Sequence, residues 1–382
     1  MVRTHKIQLK VNNKQSTLLS KTCGCNRFAY NWMLNKSNEL YKRGEKYNKF
    51  QLKREFNQFK KTLPFIKEVN AHAVVNDAID RLSNSFGRFF KKFSKFPKFH
   101  SKKKNHGSFS LTGSEIKYDS ENQKVYLCKL GWLKLTEKVR FTYSKIYKIT
   151  VTRHADKWFV SFCLEVEDNR KCENQAFSVG IDLGVKNNIT CSDGFVIENP
   201  RILNHYSRRL RKLNRQLSRR VRGGKNWWKS VYALRKLYYK ISNVRKDLIH
   251  KFTTKITRKY GIVCLEDLNV KGMVKNHKLA KHILDVSFGE IERQIKYKAL
   301  EVRHVDRFYP SSKTCSSCGF VKQDLKLSDR KFICPSCGLN MDRDLNASIN
   351  IRDNAVSSTV NACAVDLGSK TSSRQELNIK SV

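Results

Sequence analysis

Three acidic segments and one group of cysteines hold the residues in this chain best suited to chemistry. The acids lie in GIDLGVKN at 180–187, CLEDLN at 264–269 and DRDLNASIN at 342–350. Asp182 ends one apolar run and Glu266 ends another, Gly261 to Leu265, each reading as a short buried strand. Asp344 opens a short helical stretch whose apolar face is expected to be Leu345, Ile349 and Ala347. Three converging carboxylates are what a pair of hard, oxygen-seeking divalent ions requires. The expected reaction is hydrolysis of a phosphodiester. Asp182 would bridge two Mg²⁺ ions roughly 4 Å apart, and Glu266 and Asp344 would complete the pair. One ion would activate water and the other would stabilise the leaving 3′-oxygen. Asp267 and Asp342 are close rivals, but strand alternation points Asp267 away from Glu266, and Asp342 ranks second to Asp344.

The cysteines read C-x2-C-x15-C-x2-C: Cys315, Cys318, Cys334 and Cys337. Two such knuckles complete a tetrahedral site and leave no open position, so one structural Zn²⁺ is expected. The last of them stands seven residues before Asp344, so the module is expected to brace the loop presenting that acid. The remaining cysteines, Cys23 and Cys25 among them, lack a second pair and are read as packing residues.

Composition points to a polyanion. Seventy-seven Lys and Arg against 33 Asp and Glu give a formal net charge of +44, a self-repulsion best relieved by nucleic acid. No 18-residue apolar span, lipidation signal or signal-peptide core is present, so no membrane partner is expected. Free thiols with metal-ligand spacing in a long chain suit a reducing cytosol.

These residues need elements to position them. Residues 4–12 alternate as a strand, and from about Leu19 to Phe93 the period becomes helical, with Ala71, Val75, Ala78, Leu82, Phe86 and Phe89 on one face. Next come Phe90, Phe93, Phe96 and Phe99 interleaved with lysines, among them Lys98, Lys102, Lys103 and Lys104. This run is read as a nucleic-acid contact. Strands are expected at Ile116 to Leu127, Leu133 to Tyr143, Ile149 to Thr152 and Trp158 to Val166, together a small barrel. After a polar linker, Asn169 to Ala176, three strands with Asp182 on the first open an RNase H-like fold. Helices, a strand at 261–265, a helix near 284–300, a strand at 301–307 and the Asp344 helix follow. Residues 201–260 hold twenty Lys or Arg and one acid, Asp247. Leu203, Tyr206, Leu210, Leu213, Leu217 and Val221 form one stripe, and Val231, Leu234, Tyr238, Ile241 and Leu248 another, an antiparallel hairpin with a cationic outer face. Arg208, Arg209, Arg215 and Arg219 are its candidate backbone contacts.

Together these motifs, with the FPKFHSKKK run at 96–104, resemble the TnpB family, the OrfB-type proteins of insertion sequences and relatives of type V CRISPR effectors. The resemblance covers nearly the whole chain. It implies a multidomain α+β protein: a wedge-type β-barrel (1–14 and 106–175) with a helical recognition insertion (15–105), and a RuvC-like nuclease (176–310 and 341–356). A zinc ribbon (311–340) stands before the third acid, and residues 357–382 are expected to form a disordered tail. It implies an RNA-guided DNA endonuclease, monomeric with RNA and without a small-molecule cofactor. Its partners would be a guide RNA from the transposon end and double-stranded target DNA beside a short flanking motif. Asp182, Glu266 and Asp344 match the family acids in order, and the four cysteines match its zinc site. Ser348 departs from the alanine common there, a small-for-small change. The alternatives are an RNase H-like transposase or recombinase, and a catalytically silent RNA-guided regulator.

Overall fold

The computed structural model describes residues 1–46, 48–102, 107–113, 116–168, 170–326 and 328–357. Lys103, Lys104 and the expected tail beyond residue 357 lie outside these. The chain divides into two compact units, Met1–Asp168 and Asn169–Val382.

In the first unit β1 (Val2–Lys10) is followed by α1 (Asn13–Lys42), α2 (Lys49–Phe59), α3 (Pro64–Lys67) and α4 (Ala71–Phe90). Asn12 and Gln15 form a reciprocal capping box that starts α1. The helices share a core of Tyr30, Met33, Phe56, Val75, Ala78 and Leu82, so most of the expected stripe is buried. Then come β2 (Ser108–Thr112), β3 (Lys117–Asp119), β4 (Lys124–Leu127), β5 (Gly131–Leu135), β6 (Lys145–His154) and β7 (Lys157–Glu165). They join β1 in a seven-stranded antiparallel sheet of order β2-β6-β7-β1-β5-β4-β3.

Strands β3 and β7 stand four places apart in that order, about 19 Å if the sheet were flat. Yet the rings of Tyr118 on β3 and Phe162 on β7 lie 5.2 Å apart. The sheet therefore curls round one core, barrel-like, although β2 and β3 are its two ends. Two strand expectations change. Ile116 to Leu127 is a tight hairpin of β3 and β4, reversing where Asn122 donates to Asp119. The strand predicted from Leu133 to Tyr143 stops at Leu135, because the chain turns out of the ladder after Thr136, whose nitrogen makes the last bond to the Gln8 carbonyl at 3.0 Å.

In the second unit β8 (Asn174–Asp182), β9 (Asn187–Cys191) and β10 (Val196–Glu198) precede α5 (Ile202–His205), α6 (Ser207–Ser218) and α7 (Lys225–Lys259). The polar stretch read as a linker thus ends inside a strand, since Asn174 pairs with Tyr260. Next are β11 (Tyr260–Glu266), α8 (Val270–Met273), α9 (His277–Val286), α10 (Phe288–Lys298) and β12 (Glu301–Val305). The hairpin β13 (Lys331–Ile333) and β14 (Asn340–Asp342) leads into α11, residues 343–357. The main sheet has order β10-β9-β8-β11-β12, with β11 parallel to both β8 and β12 and the other pairs antiparallel.

Alternation sends Val179, Ile181, Val263 and Leu265 to one face, under Ile249, Ile256, Ile291 and Ile295 of α7 and α10. The opposite face carries Gly180, Asp182, Ile262, Cys264 and Glu266. There Cys264 and Val305 pack against Ile351 and Ala355 of α11. The cationic hairpin forms as expected, with Ile202, Leu237 and Ile241 at its core. Val221 and Tyr238, placed in its stripes by spacing, are instead 85% and 49% exposed, and Leu237 is the buried residue. Val221 has already left α6, and Tyr238 is one position off the inward arc of α7.

Candidate metal centres

Residue alternation and strand pairing place two of the acids. Ile181 pairs with Leu265 across parallel β8 and β11, so Asp182 and Glu266 end neighbouring strands on the same face. The third arrives with α11, which crosses that face. A Cβ on Gly180 would stand 1.9 Å from the Ser348 carbonyl oxygen and 2.6 Å from the Arg352 nitrogen. Glycine is required there because helix and strand backbones touch. Ser348 is fully buried at the crossing, and its hydroxyl donates to the Leu345 carbonyl at 2.7 Å, so its polarity is satisfied inside its own helix. The face α11 packs inward is Ala347, Ser348, Ile351 and Ala355. Leu345 and Ile349, expected to lead that face, are only half-buried, because a bare backbone contact needs small residues.

Asp344 stands in the first turn of α11, where the helix dipole favours a carboxylate. Asp342 has a different task. Its Oδ1 accepts from the backbone nitrogens of Asp344 (2.9 Å) and Leu345 (3.1 Å), capping the helix. Asp267 is exposed and paired with Arg307. Both rivals are thereby occupied elsewhere.

Electrostatics bind the three remaining acids into one group. Burial pushes the Asp182 carboxyl up to about 8, and the charges of Glu266 and Asp344 push it the same way. Arg343 opposes this and approaches Asp344 at 3.5 Å. Crowded carboxylates with so little cationic compensation favour a proton or a metal ion.

The four cysteine sulfurs lie within 4.8 Å of one another, the one such group of possible metal ligands among the described residues. Cys315–Cys337 and Cys318–Cys334 are each 3.6 Å apart, close to the ~3.8 Å edge of a tetrahedron with 2.3 Å bonds. Each knuckle turns back on a glycine with positive φ, Gly319 (+76°) and Gly338 (+75°). Phe332 is fully buried beside Cys315 and Cys334. This donor set suits zinc.

The sequence did not reveal how the two centres connect. Asn346 and Asn350, one turn apart on α11, are buried and donate to the Thr314 carbonyl, each at 2.6 Å. Asn350 also donates to the Ser311 carbonyl at 2.8 Å, and the Ser316 nitrogen donates to Asn346 Oδ1 at 3.0 Å. The Ser311 hydroxyl in turn donates to the Glu266 carboxylate. The loop entering the cysteine module therefore ties the second acid to the helix bearing the third. The i,i+4 asparagines in NASIN were the available signal; Ser311 and Arg343 had none.

The nucleic-acid candidates are exposed where described. Phe90, Phe93, Phe96 and Phe99 are 71%, 74%, 47% and 56% exposed, while Phe90 and Phe96 also rest against the buried Phe86 ring at 6.1 and 5.7 Å. Lys98, Lys102, Arg208, Arg209, Arg215 and Arg219 are exposed too, the arginines on or just beyond α6. No helix among the described residues is long and apolar enough to cross a membrane.

Comparison with known proteins agrees with this architecture. Residues 161–277 match the OrfB_IS605 family ("Probable transposase"), and residues 288–351 match "Cas12f1-like, TNB domain". Residues 1–46 match a profile described as a helix-turn-helix domain. In this structure they form a strand and a single 30-residue helix. A Streptomyces pristinaespiralis protein named "Putative RNA-guided DNA endonuclease" is 32% identical over 91% of this chain and 88% of its own length. The "Putative RNA-guided DNA endonuclease InsQ" of Escherichia coli K12 is 29% identical over 92% and 91%. The solved structure described as "Cryo-EM structure of the Cas12f1-sgRNA-target DNA complex" shares the fold. Its TM-score is 0.56 at 15% identity, over 92% of this chain and 98% of that one. The chain belongs to the TnpB family, the OrfB-type proteins of insertion sequences related to Cas12f.

Proposed function

We propose that the protein is an RNA-guided DNA endonuclease with a single RuvC-like site formed by Asp182, Glu266 and Asp344. The observation that carries this reading is the gathering of three carboxylates on one sheet face, with Asp182 held up at about 8 by burial and by the other two acids. Two Mg²⁺ ions bound there would supply an activated water and a counter-charge for the leaving oxygen. Asp182, which feels the charges of both other acids, would help to hold them. Glu266 is oriented by Ser311, and Asp344 is delivered by the Asp342-capped turn. The four cysteines would hold one structural Zn²⁺, fixing the loop from which Ser311 and Thr314 reach the site.

In this reading the wedge-type barrel, expected over 1–14 and 106–175, ends with the first unit at Asp168, and with the recognition insertion 15–105 it holds the guide RNA and reads the flanking motif. The nuclease comprises 176–310 and 341–356, and the ribbon 311–340. The basic faces at Lys98 and Lys102 and at Arg208, Arg209, Arg215 and Arg219 hold phosphate backbones. The protein acts as a monomer with its RNA. The test is to purify it from cells carrying its locus, sequence the bound RNA, and challenge the complex with matching DNA and Mg²⁺. Guide-dependent cutting, reduced at least about a thousandfold by Asp182→Ala, is expected. Joined rather than cut DNA would favour the transposase named by the matching family, and bound RNA without cutting would favour a regulator.

A further inference from the structure

Within the first unit the helices and the sheet line a half-open cavity of about 210 Å³. Arg27 and Asn26 of α1, Arg81 of α4, His100 from the loop after α4, and Thr152 and Arg153 of β6 line it, and none of its described lining residues is acidic. Arg81 is held from behind by buried Asp77 (2.7 Å) and by the Ser108 hydroxyl (3.0 Å). Arg27 and Arg153 have no carboxylate partner among the described residues. Two buried polar atoms in the lining, Thr152 Oγ1 and Arg153 Nε, make no hydrogen bond. Such orphans are uncommon and call for a partner.

The walls are also held in place. The His100 ring stacks on Tyr30 at 3.9 Å, and its backbone exchanges two hydrogen bonds with Asn31, at 2.8 and 2.9 Å. The Arg153 guanidinium lies over the Trp158 ring, 5.6 Å from its centroid. Burial, then Arg81 and Arg27, lower the His100 pKa, so the imidazole is neutral at pH 7 within a positive field.

We propose that this cavity is an oxyanion site that takes one backbone phosphate of a nucleic acid. Guanidinium groups present forked donors that match phosphate oxygens, and three of them meet here with no acidic residue in the described lining. The volume equals about seven waters at roughly 30 Å³ each. That is below the ~300–1,000 Å³ typical of drug-sized ligands, and it suits a single phosphate group. A phosphate held inside the fold fixes the register of a strand, where the surface lysines supply only attraction. The inference rests on the reading of this chain as a nucleic-acid binder, and the phosphate could come from RNA or from DNA.

The test uses the full chain and two labelled probes, a 20-nucleotide single-stranded RNA and a 20-base-pair DNA duplex, titrated across a salt series. The Arg27→Gln/Arg153→Gln double variant should bind at least one probe about tenfold more weakly, with its salt slope reduced by about one to two. Loss on RNA alone assigns the phosphate to RNA, and loss on DNA alone assigns it to the duplex. The Lys10→Gln/Lys134→Gln variant removes two exposed charges of the same unit and sets the baseline. A double variant no weaker than that baseline overturns the site while leaving the nucleic-acid reading intact. Wild-type protein binding neither probe overturns both. Should the glutamine pair fail to fold, Arg27→Lys/Arg153→Lys keeps the charge and removes the fork. Full binding by that variant overturns the site, and a retained deficit supports it.

Discussion

Two centres in the second unit differ in how they are built. The four sulfurs come from positions 315–337, two tight turns fifteen residues apart, and already stand at near-tetrahedral spacing. The three acids stand at positions 182, 266 and 344. They meet only because β8 pairs with β11 and α11 lies across Gly180. Local turns make the first centre, while the whole fold makes the second and holds like charges together. The first should therefore fail locally and the second globally, and the hydrogen bonds through Ser311, Thr314, Asn346 and Asn350 should transmit failure from one to the other.

The largest effect should follow loss of the proposed zinc, whose binding supplies about 10–16 kcal/mol in small zinc modules. Cys315→Ser should open residues 311–340 to proteolysis and lower cleavage, leaving the β8–β11 sheet folded. Limited digestion with metal analysis reads this directly, and loss of the whole unit would break the distinction. Next is Gly180→Ala, where the added methyl meets backbone at 1.9 Å. Overpacking of this kind costs about 1–3 kcal/mol or more. Cleavage should fall sharply with zinc content unchanged, and cleavage at the wild-type rate would deny that this crossing positions Asp344.

Asn350→Ala leaves the Ser311 carbonyl without its donor and the Thr314 carbonyl with Asn346 alone, a cost of about 1–3 kcal/mol. The cleavage rate constant should drop while affinity for the DNA target holds. An equal drop in both would make this asparagine a packing residue alone.

The smallest effect is one of pH. In metal-free protein the folded Asp182 carboxyl titrates near 8, above its unfolded value of about 3.9. Between those values the folded state holds a proton that the unfolded chain lacks, so stability declines as pH rises through that window. Asp182→Asn should remove this decline and raise the melting temperature at pH 9 by roughly 2–4 °C per kcal/mol relieved. Mg²⁺ should stabilise the wild type more than the variant. An unchanged pH profile would show that the acids are less crowded than their placement indicates.

Much of this was legible in the chain itself. Apolar runs ending in Asp182 and Glu266 gave the two strands, because period and burial are local properties of a strand. The cysteine spacing gave its own site, since a C-x-x-C-G turn closes on itself. Asp342 and Asp344 could not be ranked with certainty from spacing, because only cap geometry distinguishes a residue that ends a helix from one that serves a site. Leu345 and Ile349 looked like a packing face, because hydrophobicity marks burial but cannot foresee a backbone crossing that admits only Gly180, Ala347 and Ser348.

The sequence by itself determined the net charge of +44, the cysteine knuckles and the strands that end in Asp182 and Glu266. Tertiary structure alone decided which face the acids share, that Ser311 and the two asparagines join the centres, and that Arg27, Arg81 and Arg153 line a cavity. Those contacts join residues tens to more than a hundred positions apart. Short-range pattern carries no record of them, because neither period nor propensity depends on what the chain meets after it has folded back.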